Sequence, residues 1–272
     1  MIAAYLQFAP EYLQVEQNLD AVEDRLESVD ADLLVLPELF TSGYFFKSKE
    51  DVASVAEPVP GGQTTTRMKQ WASQMGTTLV AGIAEKEGGR YYNSSILVRP
   101  TGQTETYRKV HLYNEEKIFF EPGDLGFPVF DVTTRDGTAY RLGMMVCFDW
   151  YFPEAARSLA LGGADVIAHP SNLVLPHCPD SMPIRARENH VFTITANRYG
   201  TERKGDDELT FIGQSEICGP SGNILCRAAK TGDAIDGVSI DPETARDRTI
   251  NAYNDIFKDR RPDTYVTTRE CQ

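Results

Sequence analysis

Apolar residues in this chain recur in two rhythms, one of strands and one of helices, and the two alternate. Residues 2–8 are almost wholly apolar and read as a buried strand, whereas Val15, Val22, Leu26 and Val29 recur at helical spacing. The next apolar run, Asp32-Leu33-Leu34-Val35-Leu36, stops abruptly at Pro37-Glu38. This β-α-β opening predicts a parallel strand pair with the helix packed on one face. Residues 64–75 predict a helix that carries Trp71 and ends at Gly76, and residues 78–84 predict a third core strand. Residues 91–98 and 105–107 read as strands of a meander, with turns at Gly88-Gly89 and Pro100-Thr101-Gly102.

Farther on, Leu142-Gly143-Met144-Met145-Val146 is an apolar strand that runs straight into Cys147. A tight turn follows, and a helix starts at Pro153, where the missing N–H has no helical partner to lose, and runs to Gly162-Gly163. Residues 165–170 predict another parallel-type strand, 183–190 a short helix and 191–197 a strand. Residues 215–218 and 223–226 flank Gly219-Pro220-Ser221-Gly222 as a hairpin, which makes Cys218 and Cys226 cross-strand core residues. A strand at 237–241, a polar helix and a tail finish the chain. With no internal repeat, linker or shift in composition, residues 1–272 read as one domain.

Composition narrows the function classes. Forty acidic against 27 basic residues give a net charge of −13 with no basic cluster, so a nucleic-acid partner is not expected. No apolar run approaches the roughly 18 residues of a membrane span, and the first residues lack the basic region of a signal peptide. Cysteines stand at 147, 178, 218, 226 and 271, an odd number without Cys-x-x-Cys spacing. That argues against a disulfide framework or a structural zinc site and for a reduced cytoplasm.

Three reactive side chains stand just past expected strands: Glu38 and Cys147 after apolar ones, and Lys109 after the meander strand at 105–107. Taken singly, Glu38 is a carboxylate closing a turn and Lys109 a surface lysine at a strand end. Taken together they divide the labour of thiol chemistry. A free cysteine is only a few per cent thiolate at neutral pH and needs a base or a cation. A carboxylate can take its proton, and an ammonium can hold negative charge growing on an attacked carbonyl or nitrile. A cysteine between a strand end and a helix N-terminus also has backbone N–H groups and a helix dipole nearby. His169 keeps a Cys–His pairing open as an alternative, and His111 reads as a satisfied polar residue in a loop. Residues 113–124 read as a long, partly buried loop with two adjacent acids, and long ordered loops of this kind are often functional.

Leu36-Pro37-Glu38-Leu39, Tyr107-Arg108-Lys109-Val110-His111-Leu112 and Val146-Cys147-Phe148-Asp149 with Pro153-Glu154 resemble the three signature segments of the nitrilase, or carbon–nitrogen hydrolase, superfamily. The resemblance extends over nearly the whole chain. Around Cys147-Phe148-Asp149-Trp150 and His169-Pro170-Ser171-Asn172-Leu173 it is greatest to archaeal-type aliphatic nitrilases. It implies an α/β fold, a four-layer α-β-β-α sandwich with mixed sheets, in subunits that pair as a homodimer or higher oligomer. The tail from about residue 245 is then expected to serve dimer contacts. It implies Cys147 as nucleophile, Glu38 as base, Lys109 as electrostatic stabiliser and Glu116 as a second glutamate, with Glu115 as the alternative. No cofactor or metal is implied. Phe148 would lend a backbone N–H to the oxyanion, Asp149 and Glu154 would brace the turn, and Asn172 would line the pocket or merely close a turn. Trp150-Tyr151-Phe152 stand where relatives that bind amino-acid-like substrates often carry a carboxylate-gripping arginine, and Tyr44-Phe45-Phe46 add further aromatics. With Trp150 and Tyr44 in the pocket this favours small uncharged or apolar substrates, and packing of the turn is the alternative role for Trp150 and Phe152. The implied reaction takes a small aliphatic nitrile through a cysteine thioester to acid and ammonia. An aliphatic amidase, an N-carbamoyl amine amidohydrolase and a catalytically silent scaffold stay open.

Overall fold

The computed structural model describes residues 1–27 and 29–266. Its strands in chain order are β1 (Ile2–Gln7), β2 (Leu33–Val35), β3 (Thr78–Glu87), β4 (Arg90–Val98), β5 (Thr104–Arg108), β6 (Val129–Thr133), β7 (Ala139–Met144), β8 (Val166–Pro170) and β9 (Phe192–Ala196). These are followed by β10 (Tyr199–Lys204), β11 (Asp207–Ile212), β12 (Glu216–Cys218), β13 (Ile224–Arg227) and β14 (Ala234–Ser239). The helices are α1 (Val15–Leu26), α2 (Lys49–Val55), α3 (Gln63–Met75), α4 (Glu116–Phe119), α5 (Pro153–Leu161) and α6 (Cys178–Asn189). One six-stranded sheet has the order β14-β1-β2-β3-β4-β5 and the other β13-β12-β9-β8-β7-β6. Both are mixed, with a parallel trio at the centre: β1-β2-β3 in the first and β7-β8-β9 in the second.

Strand alternation then decides what each face meets. Tyr5, Leu33, Val35, Val80 and Leu97 of the first sheet share one buried cluster with Leu142, Met144, Val166 and Ile194 of the second, so the sheets pack face to face. Their neighbours Leu6, Leu34, Leu36 and Leu79 point the other way, onto Leu19, Val22 and Leu26 of α1 and Met68 and Trp71 of α3. On the second sheet Leu159 of α5 and Met182 and Ala186 of α6 cover the outer side. The layers are helix, sheet, sheet, helix, as the resemblance implies. Among the described residues no helix is long and apolar enough to cross a membrane.

Several expectations need correction. α6 starts at Cys178 rather than at 183, because Pro183 lies inside the helix. A proline there frees the carbonyl four residues back, and Arg227 takes up that oxygen, on Pro179, at 2.6 Å. The polar helix expected after residue 241 is only one 3-10 turn, Pro242–Ala245, in which just those two end residues are buried. So short a turn with so little apolar face cannot repay helix nucleation. Cys218 and Cys226 do lie on neighbouring strands, but Cys226 faces Ile217 and Cys218 faces Ile224, and Cys226 is only half-buried. Helix α2, the single turn α4 inside the segment read as a loop, strands β6, β10 and β11, and a small antiparallel pair of Thr249–Asn251 with Asn254–Asp255 were not anticipated. Cys271 and the end of the tail lie outside the described residues.

Candidate active site

β2, β3 and β5 run in the same direction, since β2 and β3 are parallel and β4 is antiparallel to both β3 and β5. Their carboxyl ends therefore meet at one edge of the sheet, the usual place for ligands in such folds. Glu38 lies on the turn after β2. Leu36 still bonds β3 through the Val80 carbonyl at 2.8 Å, and the carbonyl of Pro37 accepts from Gly82 N–H at 3.1 Å. Any side chain at Gly82 would collide with the Glu38 backbone, so that turn can sit on β3 only over a glycine. Lys109 immediately follows β5. Its N–H donates to the Asn93 carbonyl at 2.8 Å, and its own carbonyl accepts from Gly123 at 2.9 Å.

The side chains meet in a dry interior. Lys109 Nζ donates to Glu38 Oε1 and to Glu116 Oε1, each at 2.7 Å, with the lysine side chain wholly buried. Glu38 Oε1 also accepts from Asn93 Nδ2 at 2.7 Å, whereas Glu38 Oε2 is buried with no partner. Tyr44 Oη donates to Glu116 Oε1 at 2.6 Å. Burial pulls the Lys109 pKa down, but Glu116 and Glu38 outweigh it and hold the ammonium pKa above its ordinary value. Burial pushes the Glu116 carboxyl up, against the pull of Lys109.

Cys147 comes from the second sheet, three residues past β7, and its backbone is in the left-handed region at φ 42°. A non-glycine residue held there is strained, a state that persists only when its surroundings fix it. The fixing group is Asp149, fully buried. Its Oδ2 accepts from Val146 N–H at 2.8 Å and Tyr107 Oη at 2.6 Å, and its Oδ1 accepts from His111 N–H at 3.1 Å. His111 Nδ1 lies 2.8 Å from the same Oδ1, and Phe152 stacks on the His111 ring at 3.7 Å between centroids. Asp149 thus ties the Cys147 turn to the segment bearing Lys109. Glu154, expected to help in this, is exposed instead.

Burial raises the Cys147 thiol pKa, and the negative charge of Glu38 adds to it; Lys109 and the backbone N–H of Asn172 pull the other way without prevailing. The net effect favours the protonated thiol, and the nearby Glu38 presents an oxygen with no partner. His169 does not form the alternative Cys–His pair. Its Nε2 lies 2.9 Å from the Cys147 backbone carbonyl, which can only accept, and its Nδ1 lies 3.0 Å from Thr195 Oγ1. Burial lowers its pKa to about 4, so the ring is neutral and committed to the backbone.

A cavity of about 20 Å³ opens on Cys147, lined by Tyr113, Phe148, Trp150, Asn172, Leu173, Val174 and Leu175, none of them charged. Asn172 Nδ2 donates to the Glu38 carbonyl at 2.9 Å and so joins the two sheets at the site, while its Oδ1 is buried without a partner. Tyr44 does not line this cavity; it stands behind Glu116. Glu115 pairs outward with Lys204 at 2.8 Å, which leaves Glu116 as the inner glutamate. Sequence reasoning missed Asn93. The signal was a polar run, Asn93-Ser94-Ser95, in a strand buried on both faces. It also missed Arg108, the residue before Lys109, which is buried on Glu85 at 2.6 Å and stacks over Tyr92 at 3.9 Å, fixing the end of β5.

A model of the carbon–nitrogen hydrolase family matches residues 2–248. A nitrilase of Pyrococcus abyssi is 48% identical over 265 residues, covering 96% of this chain and 98% of its own. An N-carbamoylputrescine amidase of Solanum lycopersicum is 32% identical, covering 86% of this chain and 83% of its own. Among solved structures, an amidase from Nesterenkonia sp. superposes with a TM-score of 0.74 at 30% identity, covering 91% of this chain and 93% of its own. A structure of a glutamate-to-glutamine mutant of the amidase from Nesterenkonia sp. AN1, with a TM-score of 0.75 at 30% identity and covering 91% of this chain and 96% of its own, shows the result of Michael addition of acrylamide at the active-site cysteine.

Proposed function

Because the chain belongs to the carbon–nitrogen hydrolase family, we propose that it turns small uncharged nitriles into acid and ammonia, with Cys147 as nucleophile, Glu38 as base and Lys109 as the cation of the oxyanion site. The observation that carries this reading is the buried ammonium shared by two carboxylates, one of which keeps an oxygen free next to a thiol. Glu38 takes the sulfur proton as sulfur adds to the nitrile carbon, and the nitrogen is protonated to give a thioimidate. Water adds to that carbon, ammonia departs and a thioester remains. A second water, deprotonated by Glu38, releases the acid and restores the thiol. Lys109, with the Phe148 N–H, balances the charge that appears on the attacked group. Glu116 keeps Lys109 charged and aimed.

The uncharged wall of Phe148, Trp150, Leu173, Val174 and Leu175 favours an apolar substituent over a carboxylate. The likeness to the Nesterenkonia amidase favours a second reading, in which the Cys147 sulfur adds to the carbonyl carbon of a small amide, the C–N bond breaks as the nitrogen takes the proton held by Glu38 and leaves as ammonia, and the same thioester remains. Ammonia release from a panel of short nitriles, amides and carbamoyl amines separates the readings, and failure on all three overturns them. Glu38→Gln keeps acceptors for Asn93 and Lys109 but cannot act as base, so kcat should fall by about 10²–10⁴ with the fold intact. Turnover within a few-fold of the parent would contradict the role given to Glu38. Exposed Leu161 on α5 and Ile184 on α6, 46% and 57% accessible, support a homo-oligomer paired through that face. The free thiols of Cys147, Cys178, Cys218 and Cys226 support a reducing, cytoplasmic setting.

A further inference from the structure

An ion pair outside the reacting groups is buried as deeply as they are. Arg198 and Glu202, 2% and 7% exposed, pair at the start of the β10–β11 hairpin. Burying two charges costs several kcal/mol per ion unless every oxygen and N–H finds a partner, and such a pair is weak evidence for stability alone. The partners here are informative. Glu202 Oε2 accepts from the backbone N–H of Phe45 at 2.6 Å and of Tyr44 at 3.1 Å. Arg198 stacks over Phe211 at 4.1 Å, and the Tyr44 ring meets Phe211 edge-on at 5.9 Å. Gly43 is at φ 74°, and a side chain there would run into Glu202 Oε1, so the loop can close on the carboxylate only through glycine. The hairpin therefore grips Tyr44 by its backbone and by its ring, and Tyr44 in turn donates to Glu116.

We propose that Glu202, held by Arg198, is a positioning residue: it fixes the Tyr44–Phe45 backbone, aims the Tyr44 hydroxyl at Glu116 and thereby sets the acceptor that holds Lys109. This rests on the roles given above to Glu116 and Lys109. Glu116 is faced by Lys109, Glu38 and Tyr44, and accepts from the Tyr113 N–H at 3.3 Å. Among these the Tyr44 bond favours the carboxylate form, so loosening it raises the Glu116 pKa.

The test is a double-mutant cycle read through the pH dependence of kcat/KM for ammonia release, on whichever panel substrate the wild type turns over. Tyr44→Phe keeps the ring and removes the hydroxyl. Its kcat is expected to fall about 10-fold, and the acid limb of the profile to move up by about 0.5–1 pH unit, the equivalent of one hydrogen bond. Arg198→Met with Glu202→Leu removes both buried charges together, so neither is stranded. It is expected to move the acid limb in the same way, and combining it with Tyr44→Phe should add little. Should the apolar pair not fold, Glu202→Gln takes its place in the cycle. A clamp with a merely structural role would lower the urea midpoint, leave the acid limb in place and add in full to Tyr44→Phe; that result overturns the proposal. So does an unmoved acid limb in Tyr44→Phe itself. A wild type inactive on the whole panel overturns the underlying reading instead.

Discussion

Cys147→Ala is expected to abolish ammonia release, by about 10⁴-fold or more, while leaving the fold in place. The sulfur accepts no hydrogen bond from a side chain that the fold depends on. The strained turn is held by Asp149 through the backbone and through Tyr107 and His111, contacts that alanine leaves untouched. What is lost is the thiol that the proposed mechanism bonds to the substrate carbon, and His169, turned to a backbone carbonyl, does not replace it. Circular dichroism and a urea melt should match the parent. Retained turnover in this variant would remove the thiol from the mechanism.

Lys109→Met should damage both activity and stability. Methionine fills the space but leaves Glu38 and Glu116 buried near each other without their shared ammonium. Breaking a buried pair in this way costs about 3–5 kcal/mol, and losing a cation at the oxyanion site costs about 10²–10³ in kcat. The stability loss should depend on pH in a fixed direction. Burial already raises the Glu116 pKa, and without the ammonium it rises further. A carboxyl whose folded pKa lies above its unfolded value contributes stability at low pH that disappears as pH rises through the folded pKa. The variant should therefore be closest to the parent in mildly acidic buffer and farthest from it above neutrality. Urea midpoints measured across that range check the sign, and a flat difference would mean that both carboxylates are held by other groups.

How much of this was legible beforehand depended on how local the signal was. Glu38 and Cys147 could be picked out because each is a reactive residue directly after an apolar strand, a pattern visible within ten residues, whereas Lys109 follows the polar strand Thr104–Arg108 and stood out through its signature segment. Whether they converge stayed conditional in the sequence, because the direction of β5 depends on β4 running antiparallel to both its neighbours and Cys147 arrives from the other sheet. Glu116 was distinguished from Glu115 only through the family resemblance; the structure separates them by a single helical turn, α4, that sends one inward to Lys109 and the other out to Lys204. Asn93 was hidden because its role depends on the register of β4 against β3 and β5, which no window along the chain contains. The Arg198–Glu202 clamp was hidden for the opposite reason. Its hairpin, Tyr199–Lys204 with Asp207–Ile212, is so rich in charge that it lacks the alternation by which strands are recognised, although Glu202 within it and Arg198 just before it are buried.

The central claim is that a covalent bond forms between Cys147 and the substrate carbon, and it is most directly tested by weighing the protein in mid-reaction. Acid-quenching the wild type during turnover of a small nitrile or amide, followed by digestion and mass spectrometry, should find the acyl group on the peptide that carries Cys147. The adduct should be absent from Cys147→Ala. Steady ammonia release with no adduct on that peptide, or with the acyl group on Cys178 or Cys218, would contradict the account.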